Sequence, residues 1–394
     1  MAFLQPVVSV RQQEVRLVEA LARGVDPDGR TRSPAELFAE AARGDYSREL
    51  ERTCRKAAFA AYRSLPIAQR PILSLNTDTA LILEGERGAE RVASEATEAG
   101  VDPASVALEI LEYAQPDSMQ LEAFCKRARQ LGFLLALDDV GTGHSNLERI
   151  PRLEPDILKI DRVLVHGMSE SYHRREVFRS LLALSFQIGA LAIAEGVEDE
   201  QDVLAALSLG CDYFQGYYFG RPRDVRGASA QAMADRSTLQ QVGEEFRTGA
   251  QRRVGERRAQ QRRCEKAIRE LSSTLRGVDP ESSFESALHQ ALDALPFVEA
   301  LYVLDARGVQ ITDTVQRATG HPRGLFAPAP RGTDQSLKQY YLMLEAGLDR
   351  YTSDPYISSA SGNFCITMSR YFRDALGQSY VLCCDLMVSR ESGR

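Results

Sequence analysis

The feature that most constrains this chain is a rhythm. Between residue 1 and about residue 235, short apolar runs recur: VVSV (7–10), ILSL (72–75), VALEIL (106–111), FLLAL (133–137), DILKI (156–160) and ALAIA (190–194). Stretches of helical character lie between several of them, at Pro34 to Ala60, Ser118 to Leu131 and Ser171 to Gln187. Runs that are apolar almost throughout suit strands buried on both faces, and their alternation with helices implies a parallel sheet. Closing that many strands within some 235 residues is most economical as a β/α barrel. A doubly wound open sheet is the alternative, but no glycine-rich phosphate loop follows the first run.

Residues 236–277 change character. They are polar, arginine-rich and free of proline, and Leu239, Val242, Phe246, Ala250 and Val254, then Cys264, Ile268, Leu271 and Leu275, recur at helical spacing. This predicts a long connector helix with a thin apolar stripe that pairs in a dimer, weakened toward its start by Gly243, Gly249 and Gly255. Interspersed Glu and Gln make the arginine pairs a solvated face rather than a nucleic-acid or membrane contact. Residues 278–394 then read as a small α+β domain. ALYVLDARGVQIT is strand, turn, strand, and so is ITMSRYFRDALGQSYVLCCDLMV, with Asp305 and Asp374 as turn residues.

Composition sets outer limits. A chain of 394 residues with 44% hydrophobic and 26% charged residues is long enough for a barrel plus a smaller domain. No apolar run reaches the ~18 residues of a membrane span, and MAFLQPVVSVRQQEVR lacks the features of a signal peptide. Seven cysteines without CxxC spacing suit reduced thiols, so a cytoplasmic location is expected. A net charge of -7 argues against a nucleic-acid polymer as partner.

Polar groups stand at or just past the ends of the apolar runs: Asn76, Glu109, Asp138 with Asp139, Lys159 and Glu195, joined by Glu19 in RLVEAL and Gln215 in YFQGY. Singly, each reads as a polar strand end. Together they point one kind of group at one rim, where β/α barrels build their sites. Carboxylate and amide oxygens are hard ligands suited to Mg²⁺ or Mn²⁺. Adjacent Asp138 and Asp139 are costly unless cations neutralise them, and one carboxylate bridging two ions suits hydrolysis of a phosphodiester.

VEALAR (18–23), SLN (74–76), LEILE (108–112), DDVGTGHSNL (138–147), LKIDR (158–162), AEGVE (194–198) and QGYYFGRP (215–222) resemble, in order and spacing, the EAL-domain family. The resemblance covers about residues 1–225, within a domain drawn at 1–235, and extends to Gln5-Pro6. It implies a TIM-like β/α barrel that hydrolyses cyclic di-GMP to linear pGpG as a homodimer using two Mg²⁺ or Mn²⁺ ions, with Ca²⁺ inhibitory. By the same resemblance, Glu19, Asn76, Glu109 and Asp138 are ligands of a first metal, and Asp138 bridges to a second shared with Asp139. Lys159 contacts the hydrolytic water and Glu195 is the general base. Gln5, Arg23 and Gln215 contact the dinucleotide or shape its pocket. Asp161 and Glu198 form an outer acidic layer, and Glu112 anchors the loop after Asp139.

That loop departs from the family pattern, with Val140 and His144 where aromatic residues are usual. His144 reads either as a metal or phosphate contact or as a packing residue. Loosened packing would lower activity without loss of binding, so the alternative to an enzyme is a catalytically weak or inactive cyclic di-GMP receptor. The 278–394 segment resembles a Cache or PAS-like sensor domain. That resemblance makes Arg350, Tyr351, Tyr356, Arg370 and Asp374 candidates for lining a pocket for an unidentified small ligand, which would regulate the barrel; the plain alternative is core tyrosines and solvated turns.

Overall fold

Eight strands close into a barrel in the computed structural model, and one of them runs against the rest. Residues 1–387 are described, apart from 27, 29, 68–69, 112–117, 143–148, 226–228, 279–283 and 318–325. The chain divides into two units, Met1–Gln251 and Arg252–Arg394.

In the first unit, β1 (Ala2–Ser9) and β2 (Glu14–Ala22) form a hairpin, followed by a small pair, β3 (Gly24–Val25) and β4 (Thr31–Arg32). Helices α1 (Pro34–Arg43) and α2 (Ser47–Arg63) lead to β5 (Ile72–Asn76), and α3 (Thr79–Leu83) and α4 (Glu86–Glu98) to β6 (Val106–Leu111). Then follow α5 (Ser118–Gln130), β7 (Leu134–Val140), α6 (Ile150–Leu153), β8 (Ile157–Ile160), α7 (Arg162–Val165), α8 (Tyr172–Ile188), β9 (Leu191–Ala194), α9 (Glu200–Leu209) and β10 (Tyr213–Gln215). Helix starts carry their own signals: Ser33 and Glu36 form a capping box around Pro34, and Asp199 caps α9. Phe59 on α2, Phe124 on α5 and Phe178 on α8 are fully buried, each contributing about 1.5–3 kcal/mol of transfer free energy.

From β2 through β10 the barrel strands are parallel, but β1 pairs antiparallel with both β2 and β10. This corrects the all-parallel expectation. A tight hairpin after β1 forces its partner to return antiparallel, and a run such as VVSV looks the same in either direction.

The interior is stacked in layers. Val7, Leu17, Ala107, Ala136, Ile157 and Ile193 form one buried apolar cluster, joined by Ile72, Leu134, Leu191 and Tyr213, so every barrel strand contributes to it. Side chains two residues apart share a face. Two residues further toward one rim therefore stand Glu19, Ser74, Glu109, Asp138, Lys159, Glu195 and Gln215. Counting backward on the reversed β1 adds Gln5. A polar ring lies directly on an apolar plug.

Helix α10 (Arg236–Leu275) starts in the first unit and ends in the second. Leu239 and Val242 are buried in the barrel unit's core and Phe246 packs against it, while Cys264, Ile268, Leu271 and Leu275 are buried in the core of the second unit. The two ends of the apolar stripe thus pack within their own chain. Val254, between the two buried groups, is 48% exposed.

The second unit continues with α11 (Phe284–Ala294), β11 (Val298–Leu304), β12 (Val315–Gln316), α12 (Gln339–Glu345), β13 (Arg350–Thr352), β14 (Tyr356–Ile357), β15 (Phe364–Arg373) and β16 (Ser379–Met387). The sheet is antiparallel in the order β12-β11-β16-β15-β13, with β14 added to β15. Leu382, Cys384 and Leu386 face α11 and the end of α10, whereas Val381 and Cys383 join the cluster of Tyr340, Tyr341 and Leu344 on α12. The hairpin across Asp374–Gly377 forms as expected. The one expected across Asp305–Gly308 forms irregularly: Leu304 bridges Gln310, Ile311 N donates to the Val303 carbonyl at 2.9 Å, and regular antiparallel pairing with β11 resumes at Val315. Between the two, the Thr312 hydroxyl accepts from Val303 N at 3.1 Å in place of a regular ladder bond, and the Gln310 amide donates to Thr312, Thr314 and Ala329.

Among the described residues no helix is long and apolar enough to cross a membrane.

Candidate active site

The polar ring converges on Lys159. Its ammonium lies 2.7 Å from Glu109 Oε1, 2.8 Å from Glu195 Oε1, 3.1 Å from Asp138 Oδ1 and 3.7 Å from Glu19 Oε2. Lys159 is 2% exposed and Glu109 is wholly buried. Ser74 Oγ also donates to Glu109 Oε1, at 2.6 Å, while Glu109 Oε2 is buried without a partner. Asn76 Nδ2 donates to Glu19 Oε1 at 3.1 Å.

Asp138 and Asp139 reach the same end of β7 through a local break in the strand. Consecutive strand residues normally point to opposite faces. Here the register against β8 shifts between Leu137 and Val140, and Asp139 takes a left-handed φ of 57°. That bulge re-aims Asp139, so Asp138, Asp139 and Glu195 bring carboxylate oxygens within 4.8 Å of one another. Asp and Asn tolerate this backbone region better than other non-glycine residues.

Four carboxylates, from Glu19, Glu109, Asp138 and Glu195, surround a single ammonium, and a fifth, from Asp139, lies beside Asp138 and Glu195. Burial, reinforced by Glu19, pushes the Glu109 carboxyl up to about 8, and burial likewise raises Glu195 well above the carboxylate range. For Lys159 burial works against the charge, but the neighbouring carboxylates prevail and hold its ammonium well above its ordinary value. Surplus buried negative charge, oxygen-only donors and an unsatisfied Glu109 oxygen fit hard divalent cations.

The remaining residues singled out from the sequence take varied positions. Gln215 Nε2 donates to Glu19 Oε2 and, at 3.4 Å, to Gln5 Oε1, and Gln5 Nε2 donates to the Gly220 carbonyl at 3.2 Å. Both glutamines therefore sit in the ring. Arg23 lies over the Phe3 ring and donates to the Ala22 carbonyl. Asp161 caps α7, accepting from Val163 N at 2.7 Å, and Glu198 pairs with Arg162 at 3.2 Å. Val140 is 1% exposed, packed in the barrel core. Glu112 and His144 lie outside the described residues.

Ser74 was not singled out from the sequence. Its signal was available: it stands two residues before Asn76 and so shares that face of β5.

A family model described as the EAL domain matches residues 2–222. The chain belongs to the EAL-domain family. It is 28% identical over 220 residues to the cyclic di-GMP phosphodiesterase NbdA of Pseudomonas aeruginosa and 35% identical over 136 residues to the cyclic di-GMP phosphodiesterase RocR of the same organism. These matches take in 55% and 34% of this chain. The chain spans about a third or less of the curated relatives it matches, at 28% of NbdA and 34% of RocR.

Among solved structures, the Bacillus subtilis YkuI protein, described with an EAL domain and in complex with substrate c-di-GMP and calcium, superimposes with a TM-score of 0.81. That match covers 98% of this chain and 96% of YkuI at 24% identity, which speaks to the fold alone. A manganese and cyclic di-GMP complex of Klebsiella pneumoniae BlrP1 matches 56% of this chain and 55% of its own, with a TM-score of 0.52 and 30% identity.

Proposed function

We propose that this EAL-domain protein hydrolyses cyclic di-GMP to linear pGpG in a reaction dependent on Mg²⁺ or Mn²⁺. The observation that carries the reading is the buried cluster of Glu19, Glu109, Asp138 and Glu195 around Lys159, with Asp139 turned toward it by the β7 bulge. Family membership and relatives named as cyclic di-GMP phosphodiesterases support the choice of substrate.

In this reading Glu19, Asn76, Glu109 and Asp138 would hold one cation, and Asp138 with Asp139 a second. Bound there, the cations would polarise the phosphate and lower the pKa of bound water. The chain's own groups do the rest. Glu195, its proton affinity raised by burial, accepts the proton of the attacking water. Lys159 holds Glu195 and Asp138 in fixed relation, at 2.8 and 3.1 Å. The water oxygen bonds to phosphorus, the bond from phosphorus to the ribose 3′ oxygen breaks, and that oxygen takes a proton. Gln5 and Gln215 shape the floor on which the dinucleotide rests.

We further propose that Ca²⁺ binds but supports turnover poorly, because its looser shell holds in-line geometry badly. Seven free thiols suit a reducing compartment, and we assign the reaction to the cytoplasm. Residues 278–394 are read as a Cache- or PAS-like regulatory domain. Of its candidate pocket residues, Arg350 pairs with Glu265 at 3.0 Å and the Asp374 carboxylate closes its own turn onto Leu376 and Gln378. Tyr356 instead joins a buried polar group.

The test is single-turnover conversion of cyclic di-GMP with Mg²⁺, Mn²⁺ and Ca²⁺ in parallel. Product with Mg²⁺ or Mn²⁺, lost in Glu19→Ala and Asp138→Ala and largely lost with binding retained in Glu195→Gln, is the expected result. Tight binding without product in any metal would make the chain a receptor.

A further inference from the structure

We propose that the second unit binds a primary ammonium group between the carboxylates of Glu299 and Asp385, on the face of its sheet that packs against α12. The inference is independent of what the barrel hydrolyses.

Glu299 is 1% exposed and Asp385 3% exposed. They meet because the register of β11 against β16 shifts between Val298 and Ala300, leaving Glu299 as the extra residue beside the Ala300–Asp385 pair. Asp385 shares its face with Cys383, which belongs to the Tyr302 and Tyr340 cluster. Two buried carboxylates on neighbouring strands are costly unless a cation lies with them. Among the described residues neither is in an ion pair; Lys338 lies near enough to favour the charged form of Asp385, but less strongly than Glu299 opposes it.

The acceptors are half used. Asn363 Nδ2 donates to Glu299 Oε1 at 2.8 Å, but Glu299 Oε2 is buried with no partner. The Tyr356 hydroxyl donates to Thr367 Oγ1, which donates at 2.6 Å to Asp385 Oδ1. This chain of donors holds Asp385 in place, while among the described residues Glu299 is met by the neutral Asn363 amide and by no cation. A divalent ion would want six to eight oxygens, more than two carboxylates and their neighbours offer. An ammonium brings three N–H donors and one charge, which matches the unpaired Glu299 oxygen and the adjacent carboxylate. Tyr302 and Tyr340, edge to face at 6.3 Å, supply rings of the kind that attract such cations.

Calorimetry of the full chain tests this with ethylammonium chloride as probe, against sodium chloride and tetramethylammonium chloride at equal ionic strength. Ethylammonium near ten times its Kd should raise the unfolding temperature of the second unit by roughly 5 °C, saturably, and the controls should not. Glu299→Gln and Asp385→Asn should each abolish the shift. Should one variant not fold, the other carries the test, and Glu109→Gln in the barrel should leave the shift intact. No saturable shift, or one that survives Glu299→Gln, overturns the proposal. So does a shift given by MgCl₂ alone and lost in Glu299→Gln, which would make this a metal site.

Discussion

Lys159 Nζ lies 2.7 Å from Glu109 Oε1, the oxygen that also receives Ser74, so the other oxygen of Glu109 is left buried and unmatched. One ammonium cannot satisfy the carboxylates that close around it. Lys159→Met should therefore leave several buried charges uncompensated, which in other proteins costs about 3–5 kcal/mol. In chelator the barrel should melt well below wild type, and Mg²⁺ should recover more of the loss than it adds to wild type. Unchanged melting in chelator would mean that Lys159 does not hold the cluster together. Turnover should fall about 100-fold or more, as expected for removal of a group that orients the water and its base.

Ser74 is the part of the ring that touches no proposed ligand other than Glu109. Ser74→Ala removes a donor from a wholly buried carboxylate and should cost about 1–3 kcal/mol by urea unfolding of the metal-free protein. With saturating Mg²⁺ the loss should shrink, because a bound cation would answer the same charge. Equal losses with and without metal would count against a cation beside Glu109.

Much of the barrel was legible because the same two-residue period writes both its plug and its rim. The apolar runs end where the ring begins, so Glu109, Asp138, Lys159 and Glu195 stand out as polar endings of buried strands. The reversal of β1 was not legible, since period 2 carries no direction. Nor was the bulge at Asp139, because a left-handed φ at a non-glycine residue leaves no mark in composition. The stripe of α10 was visible, but spacing alone does not say whether a partner or the helix's own chain covers it. Glu299 and Asp385 read as ordinary strand residues until the sheet sets them side by side.

The bulge separates backbone from charge experimentally. A left-handed backbone costs a non-glycine residue roughly 1–2 kcal/mol, and Asp139 adopts one at φ 57°. Asp139→Gly should match or exceed wild-type stability in chelator yet lose metal-dependent hydrolysis. Asp139→Val should lose both. A glycine variant that keeps full activity would show that the second carboxylate takes no part in binding the cations.

The second unit should respond to pH through Asp385. Burial, partly offset by the Thr367 hydroxyl and reinforced by Glu299, raises its carboxyl from an ordinary 3.8 to about 6. The folded state then holds a proton that the unfolded chain releases between those values. The stabilisation is complete below about 3.8 and is lost as pH rises through about 6. The full swing is of order 3 kcal/mol. Calorimetry should find Asp385→Asn raising the melting temperature of the second unit at pH 7.5, with the gain shrinking steadily as the pH is lowered to 4.5. A variant effect that stays constant across that range would mean Asp385 titrates normally, and that the sheet face beneath α12 admits water.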